Sequence, residues 1–276
     1  MTKFWKKMVE IFDDIRKLYR FRDPCQELAG YIEFFSETSL DATRHFIKTK
    51  EFTVKLFPSY TPTIWINLGS PYHLMNGGEC HLIRENTDIL LLRNEIVERR
   101  NLPTDNIFTV KFYPGGFEAV FGIEQTRIGS DVINLSNIIP AGIIQKLKNR
   151  CCFEDRMIFL QDYFLGLLDI EFAENHMYNK FQNAITMYSL ANMASSNSQL
   201  ATEMAMTDKT LYRYFKCLVG AAPKWYFGIV RARTALTAYV ADKESFCPYE
   251  HGYYDMSHFY KDIVRFTGQK LSLSRS

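Results

Sequence analysis

Long apolar runs are missing from this 276-residue chain. No stretch approaches the roughly 18 apolar residues needed to span a bilayer, so a membrane protein of that kind is excluded. The first residues, MTKFWKKMVEIFDDIRKLYR, are basic but carry early acidic groups and have no apolar core or small-residue cleavage site. Secretion is not expected from such a start, and a cytoplasmic location is. Cysteine is sparse, six residues at 25, 80, 151, 152, 217 and 247 with no C-x-x-C pair, which excludes a disulfide scaffold and points to reduced thiols. The phosphate loop, the G-x-S-x-G elbow and the H-E-x-x-H zinc helix are all absent, so an enzyme is not expected and no cofactor is implied.

Charge of one sign is also lacking in the total, which is only +2. Its distribution is more informative. Residues 1–176 carry 21 Lys/Arg against 24 Asp/Glu, whereas residues 177–276 carry 12 against 7, a surplus of five positive charges. A basic C-terminal third favours a polyanionic partner there. With 47% apolar and 23% charged residues the chain is globular, and its length suits two domains.

Residues 1 to about 22 read as an amphipathic helix, with Phe4, Met8, Val9, Phe12, Ile15 and Tyr19 on one side. Pro24 ends it. From Leu28 short β-like runs follow: AGYIEFFSET, RHFIKTKEFTVKLFP, PTIWINL, CHLIR, DILLLRN and IFTVKFYP, separated by turn formers. Such a series predicts a small barrel or sandwich. After Pro114-Gly115-Gly116 the spacing predicts helices near 140–149, 154–168 and 174–193.

Thr207 to Gly220, TDKTLYRYFKCLVG, carries the strongest functional signal. Thr207 is a candidate N-cap. Leu211, Tyr214, Phe215, Leu218 and Val219 recur at helical spacing and predict one buried face. Lys209, Thr210, Tyr212, Arg213 and Lys216 occupy the other, with donors suited to phosphates and base edges. Leu200, Ala201 and Met204, then a break at Ala205-Met206, place a short bracing helix before it, with Ser198 as a candidate cap. The pattern is that of a helix-turn-helix; an amphipathic pair with a solvated basic face has the same spacing. Pro223 opens a long helix after Gly220. A second unit is expected around Gly252, with Asp255 as cap and Met256, Ser257, His258, Lys261 and Arg265 along its exposed side. Leu211–Gly220 and Phe259–Gly268 have the same internal spacing, the mark of a degenerate repeat.

M-T-x-x-T-L-x-R-x-F-K-x-x-x-G-x-x-P at 206–223, R-x-x-x-A at Arg231 and Ala235, and G-Y-Y-D-x-S-H-F…G at 252–268 together resemble the AraC/XylS family of transcriptional regulators. The resemblance covers about 90 residues. It implies two helix-turn-helix units joined by a long helix, with recognition helices at Asp208–Val219 and Met256–Phe266. More weakly, YPGGFEAVFGI resembles the end of the sensor region in such regulators. The chain departs from the family's pattern at Pro248, Ile263 and Leu271, and its run from Arg231 to Gly252 is about one helical turn short. Pro248 falls where the second bracing helix is expected, and proline is a poor residue for a helix interior.

The expected architecture is therefore α+β: a β-rich, barrel- or sandwich-like sensor domain with helices at 1–172, and an all-α DNA-binding domain at 173–276. The expected function is sequence-specific binding of double-stranded DNA for transcription regulation, under a small-molecule effector or a protein partner. A homodimer is a further candidate assembly. The competing reading is a small-molecule-binding or interaction protein whose C-terminal region no longer reads DNA. Trp65, Tyr113 and Phe117 are candidate ligand-binding aromatics. His73, Cys80 and His81 have metal-binding chemistry, but neighbours in a strand point to opposite faces, so no metal site is expected.

Overall fold

The computed structural model describes residues 15–47 and 49–268. Most of the N-terminal helix expected from Phe4, Met8, Val9 and Phe12 lies outside the described residues, as does Leu271. Its described end differs from expectation: α1 (Ile15–Leu18) stops early, and β1 (Tyr19–Arg22) pairs along β2 (Ile32–Thr38). The alternation of half-buried and exposed residues in YRFR suits a sheet edge better than a helix face.

The remaining elements of this half are α2 (Leu40–Phe46), β3 (Phe52–Leu56), β4 (Pro62–Asn67), β5 (Tyr72–Asn76), β6 (Glu79–Ile83), β7 (Ile89–Leu92), β8 (Val97–Asn101) and β9 (Ile107–Phe112). After them come α3 (Gly116–Phe121), β10 (Ile133–Asn134), α4 (Ala141–Lys148) and α5 (Phe153–Leu165). The strands form two antiparallel sheets, ordered β1-β2-β9-β4-β7-β10 and β3-β8-β5-β6, and no barrel closes. The run RHFIK is not strand: Ser39 caps α2 by accepting from the Ala42 amide at 3.3 Å, and Arg44 to Phe46 complete that helix.

Period-two alternation sorts the central strands onto two cores. Ile64, Ile66, Leu90, Leu92, Phe108, Val110 and Phe112 face α3, α4 and α5 and pack on Phe117, Leu147, Phe153 and Phe164. Trp65, Ile89, Leu91 and Ile107 point the other way, against Val54, Leu56, Leu74 and Val97 of the smaller sheet. Burial on both faces explains why these strands read as continuous apolar runs.

From His176 to Gly268 the chain is helical: α6 (His176–Leu190), α7 (Asn197–Glu203), α8 (Asp208–Leu218), α9 (Pro223–Ala241) and α10 (Met256–Thr267). The protein is thus α+β, a two-sheet β-rich half followed by helices. Two cores fill the helical part. One lies under α6, α7, α8 and the start of α9; the other lies under α9 and α10 and takes in Phe57 from the β-rich half.

Candidate nucleic-acid interface

The first helix-turn-helix is held by local chemistry. Ser196 and Gln199 form a reciprocal capping box at the start of α7, the serine hydroxyl accepting from the Gln199 amide at 3.2 Å and the glutamine oxygen from the Ser196 amide at 2.7 Å. Ser198, expected as the cap, instead donates to the Asp208 carboxylate at 2.6 Å and so ties the start of α7 to the start of α8. Ala205 makes the break between the helices, with φ at +52°. Thr207 caps α8 as expected, accepting from the Thr210 amide at 3.1 Å.

Leu211, Phe215 and Leu218 on α8 and Val219 beyond it are buried against Leu200, Ala201 and Met204 of α7 and Phe181, Ala184 and Ile185 of α6. Phe215 lies 4.9 Å from the Phe181 ring and 5.0 Å from Phe227. Tyr214, expected on this face, is only half-buried; its hydroxyl lies 3.5 Å from His176 Nδ1. Lys209, Tyr212, Arg213 and Lys216 are exposed together, as spacings of three and four residues require. Tyr212 keeps 49% of its surface open to solvent. Thr210 is half-buried, with its hydroxyl 3.0 Å from that of Thr207, so it faces the cap.

The second unit is built differently. No α-helix braces α10; between Ala241 and Met256 the chain forms only a four-residue 3-10 turn, Pro248–His251. Proline at the start of that turn costs nothing, because the first amides of a helix lack internal acceptors anyway. Gly252 follows at φ +69°, and a side chain there would lie 2.5 Å from the Met193 carbonyl. Asp255 caps α10 as expected, accepting from the His258 amide at 2.7 Å. Phe259, Ile263 and Phe266 are buried. Asp262, buried among them, receives Arg231 Nη2 at 2.6 Å, while the same guanidinium lies 4.4 Å over the Tyr253 ring.

Ser257, Lys261, Val264 and Arg265 are exposed on α10, and Met256 and His258 are half-buried. His258 is engaged at the helix start: Nδ1 lies 3.4 Å from the Tyr254 amide, and the ring packs 5.0 Å from Tyr253. Arg265 lies 4.4 Å over the Trp225 ring of α9. The exposed face of α8 thus offers three cations and a tyrosine, that of α10 two cations, a serine and a valine.

The three candidate ligand-binding aromatics fall in separate surroundings. Trp65 lines a cavity of about 30 Å³ between the two sheets, together with Tyr19, Phe34, Arg93 and Arg99. That volume suits water-sized groups. The Arg99 guanidinium sits 4.6 Å over Trp65 and donates to the Tyr19 hydroxyl. Nearby, burial pushes the Asp105 carboxyl up to about 7, against the opposing pull of the Leu102 amide and the Arg99 charge. Phe117 belongs to the other core, edge-on to Phe112. Tyr113 lies at the junction of the two halves, where burial, and after it the Glu33 charge, raises its phenol. There Glu33 of β2 meets Lys111 at 2.9 Å and Arg233 of α9 at 3.8 Å, all three side chains buried.

His73 pairs with Leu82, and His81 with Leu74, which sets the two imidazoles on opposite faces of the hairpin; Cys80 shares the His73 face. Among the described residues no group of three His, Cys, Asp or Glu could hold a metal ion, and no helix is long and apolar enough to cross a membrane.

No protein-family model matches this chain, and neither does any curated protein. Solved structures resemble it in arrangement. ToxT from Vibrio cholerae O395 is 13% identical, with a TM-score of 0.49 over 81% of this chain and 92% of that one. ToxT from Vibrio cholerae strain SCE256 with an unsaturated fatty acid bound is 13% identical, with a TM-score of 0.43 over 80% and 91%. The AraC-like transcriptional activator CuxR is 12% identical, with a TM-score of 0.27 over 82% and 88%. At that level of likeness the chemistry has to be read from this chain's own residues.

Proposed function

We propose that this protein is a sequence-specific DNA-binding transcription regulator of the AraC type. In this reading residues 173–276 bind double-stranded DNA, and residues 1–172 form a sensor domain that answers to an effector or partner. The observation that carries it is α8. Lys209, Tyr212, Arg213 and Lys216 share one exposed face, while its opposite face is locked by Leu211, Phe215 and Leu218 against a capped bracing helix. A rigid helix with donors on its open face is what the major groove accepts. Lys209 and Tyr212 are assigned to base edges. Arg213 and Lys216, and on α10 Ser257, Lys261 and Arg265, are assigned to the phosphate backbone; Thr210, Met256 and His258 support the starts of their helices.

Selection of binding sites from random DNA by the full chain tests this. The expected result is one recovered sequence, with affinity falling steeply as salt rises. Arg213→Ala should weaken specific and non-specific binding alike and reduce the slope of log K against log salt by about one. Recovery of no sequence, with salt-insensitive or no binding, would instead favour a chain that no longer reads DNA.

A further inference from the structure

The segment joining β3 to β4, Phe57 to Thr61, is a loop in form but not in burial. Phe57, Pro58, Ser59 and Thr61 are buried and Tyr60 is half-buried, whereas connecting segments normally lie in solvent. Its side chains are spent on the helical part. Phe57 belongs to the core beneath α10, with its ring 6.1 Å from Phe266, in the same cluster as Ile229, Leu236 and Tyr253. Tyr60 packs against both helical cores at once, and the only other residue to do so among the described ones is Trp225 of α9. At the seam between the two helix-turn-helix units, one partly buried aromatic from the helical part and one from the β-rich half therefore pack on both apolar cores.

The loop is anchored on the sheet side. Arg93, itself buried, accepts from the Ser59 and Tyr60 amides through its carbonyl at 2.8 and 2.9 Å, and its Nη2 donates to the Phe57 carbonyl at 2.8 Å. Tyr60 is held at φ +51°, a conformation rare for a bulky residue and kept only where surroundings enforce it. Gln125, also buried, donates to the Tyr60 carbonyl at 3.0 Å and to the Val219 carbonyl, at the end of α8, at 3.2 Å. One short segment thus touches the C-terminal end of α8 through Gln125 and the C-terminal end of α10 through Phe57.

We propose that Phe57 and Tyr60 are positioning residues for DNA recognition: this loop sets the distance and angle between the two recognition helices, and with them the spacing of the two half-sites the protein accepts. The inference rests on the DNA-binding reading above. It follows from the place of the loop at the seam, where it adds to α9 and to the close approach of Gly252 to the Met193 carbonyl. A regulator that must place two helices in successive grooves needs their relative rotation fixed, because one added base pair turns a half-site by about 35°. α9 joins the units and packs along α10 through Trp225, Tyr239 and the Arg231–Asp262 pair; the second unit has no bracing α-helix, and the Phe57–Tyr60 loop stands at the seam as the contribution from outside both units.

Two measurements on the full chain test it. Spin labels are placed at Cys217 on α8 and at Val264→Cys on α10, both exposed, in a chain whose other cysteines are alanine. The distance distribution should be narrow, and should broaden in a Phe57→Ala, Tyr60→Ala variant whose far-ultraviolet circular dichroism is unchanged. Phe57→Leu, which keeps an apolar plug, is the second variant and should broaden it less. An unchanged distribution in either folded variant overturns the interlock, whether or not the protein binds DNA. The second measurement uses the selected site with one base pair inserted between its halves. The native chain should lose about tenfold or more in affinity, and the Phe57→Leu variant about threefold or less. Equal losses in both would mean the loop supports folding but not spacing. Failure of the native chain to bind any DNA would sink the regulator reading itself, and the label distances would still decide whether the loop holds the helices.

Discussion

The two helix-turn-helix units have the same spacing of apolar residues but are stabilised by different forces. In the first, a seven-residue bracing helix with a capping box packs an apolar face onto α8, and Leu211, Phe215, Leu218 and Val219 carry the contact. In the second, a 3-10 turn replaces that helix, and α10 packs Phe259, Ile263 and Phe266 on α9, with the Arg231–Asp262 ion pair, Arg231 stacked on Tyr253, and Phe57 from another part of the chain added to that packing. At the position of Asp262, the first unit has Tyr214, half-buried and turned toward His176. Apolar packing over a capped helix is short-ranged, and the first unit's ties to the β-rich half run through Tyr60 and the Gln125–Val219 hydrogen bond. A unit that adds an ion pair and a distant loop to its apolar core draws on more of the protein. In the proposed regulator the first unit is therefore assigned the reading of bases, and the second the holding of the DNA backbone.

Gly252 should break the comparison most forcefully. Gly252→Ala brings a methyl within 2.5 Å of the Met193 carbonyl at a positive φ, whereas at Gly220, φ +86°, the nearest atom outside the adjoining chain would be the Thr126 methyl at 3.6 Å. The first substitution should cost about 4 kcal/mol and the second about 1–2, read from urea unfolding. Equal costs would show that the turn before α10 yields as easily as the end of α8. Asp262→Asn comes next. Removing one partner of a largely buried pair leaves the Arg231 charge uncompensated and should destabilise by about 3 kcal/mol, lowering protection from hydrogen exchange in α10 but not in α8. Loss of protection in both helices alike would mean that the units do not open separately.

A smaller effect is expected from pH. Burial of His251, against Phe246 with rings 5.3 Å apart, lowers its imidazole below the ordinary value near 6.5, Glu250 opposing in part. The unfolded chain then binds the proton first, so stability is full above about 6.5 and declines as pH falls toward the depressed value. Thermal unfolding between pH 7.5 and 5.5 should lose less in His251→Phe than in the native chain. An identical slope in both would remove His251 from the second unit's account.

What the sequence disclosed follows the range of the interactions. The helices α8 and α10 and their caps at Thr207 and Asp255 were legible because period 3.6 and an N-cap hydroxyl or carboxylate act within one or two turns. Pro248 pointed to a short bracing helix for the same reason, and a 3-10 turn stands there. The strands YHLMN and VERRN escaped notice because each mixes exposed polar residues with buried ones at a sheet that is wet on one side. Ser198 was mistaken for the cap because Ser196, two residues earlier, offers the same hydroxyl, and only the Gln199 partner separates them. Phe57, Tyr60 and Gln125 carried no pattern at all: Gln125 and Val219 are 94 residues apart, and Arg231 and Asp262 are 31 apart. Nor could composition show that Trp65, Tyr113 and Phe117 sit in three different places, since all three are aromatics in apolar runs.

The division of labour between the units is tested most directly by binding-site selection on four variants, Lys209→Ala, Tyr212→Ala, Met256→Ala and His258→Ala. His258 is already engaged with Tyr253 and Tyr254, while Lys209 and Tyr212 stand free on the open face of α8. The first pair should each relax preference at defined base positions, by about 1–3 kcal/mol, and the second pair should lower affinity for all sequences with little change in preference. A sharper loss of base preference from Met256→Ala or His258→Ala would contradict the account and make the second unit the reader.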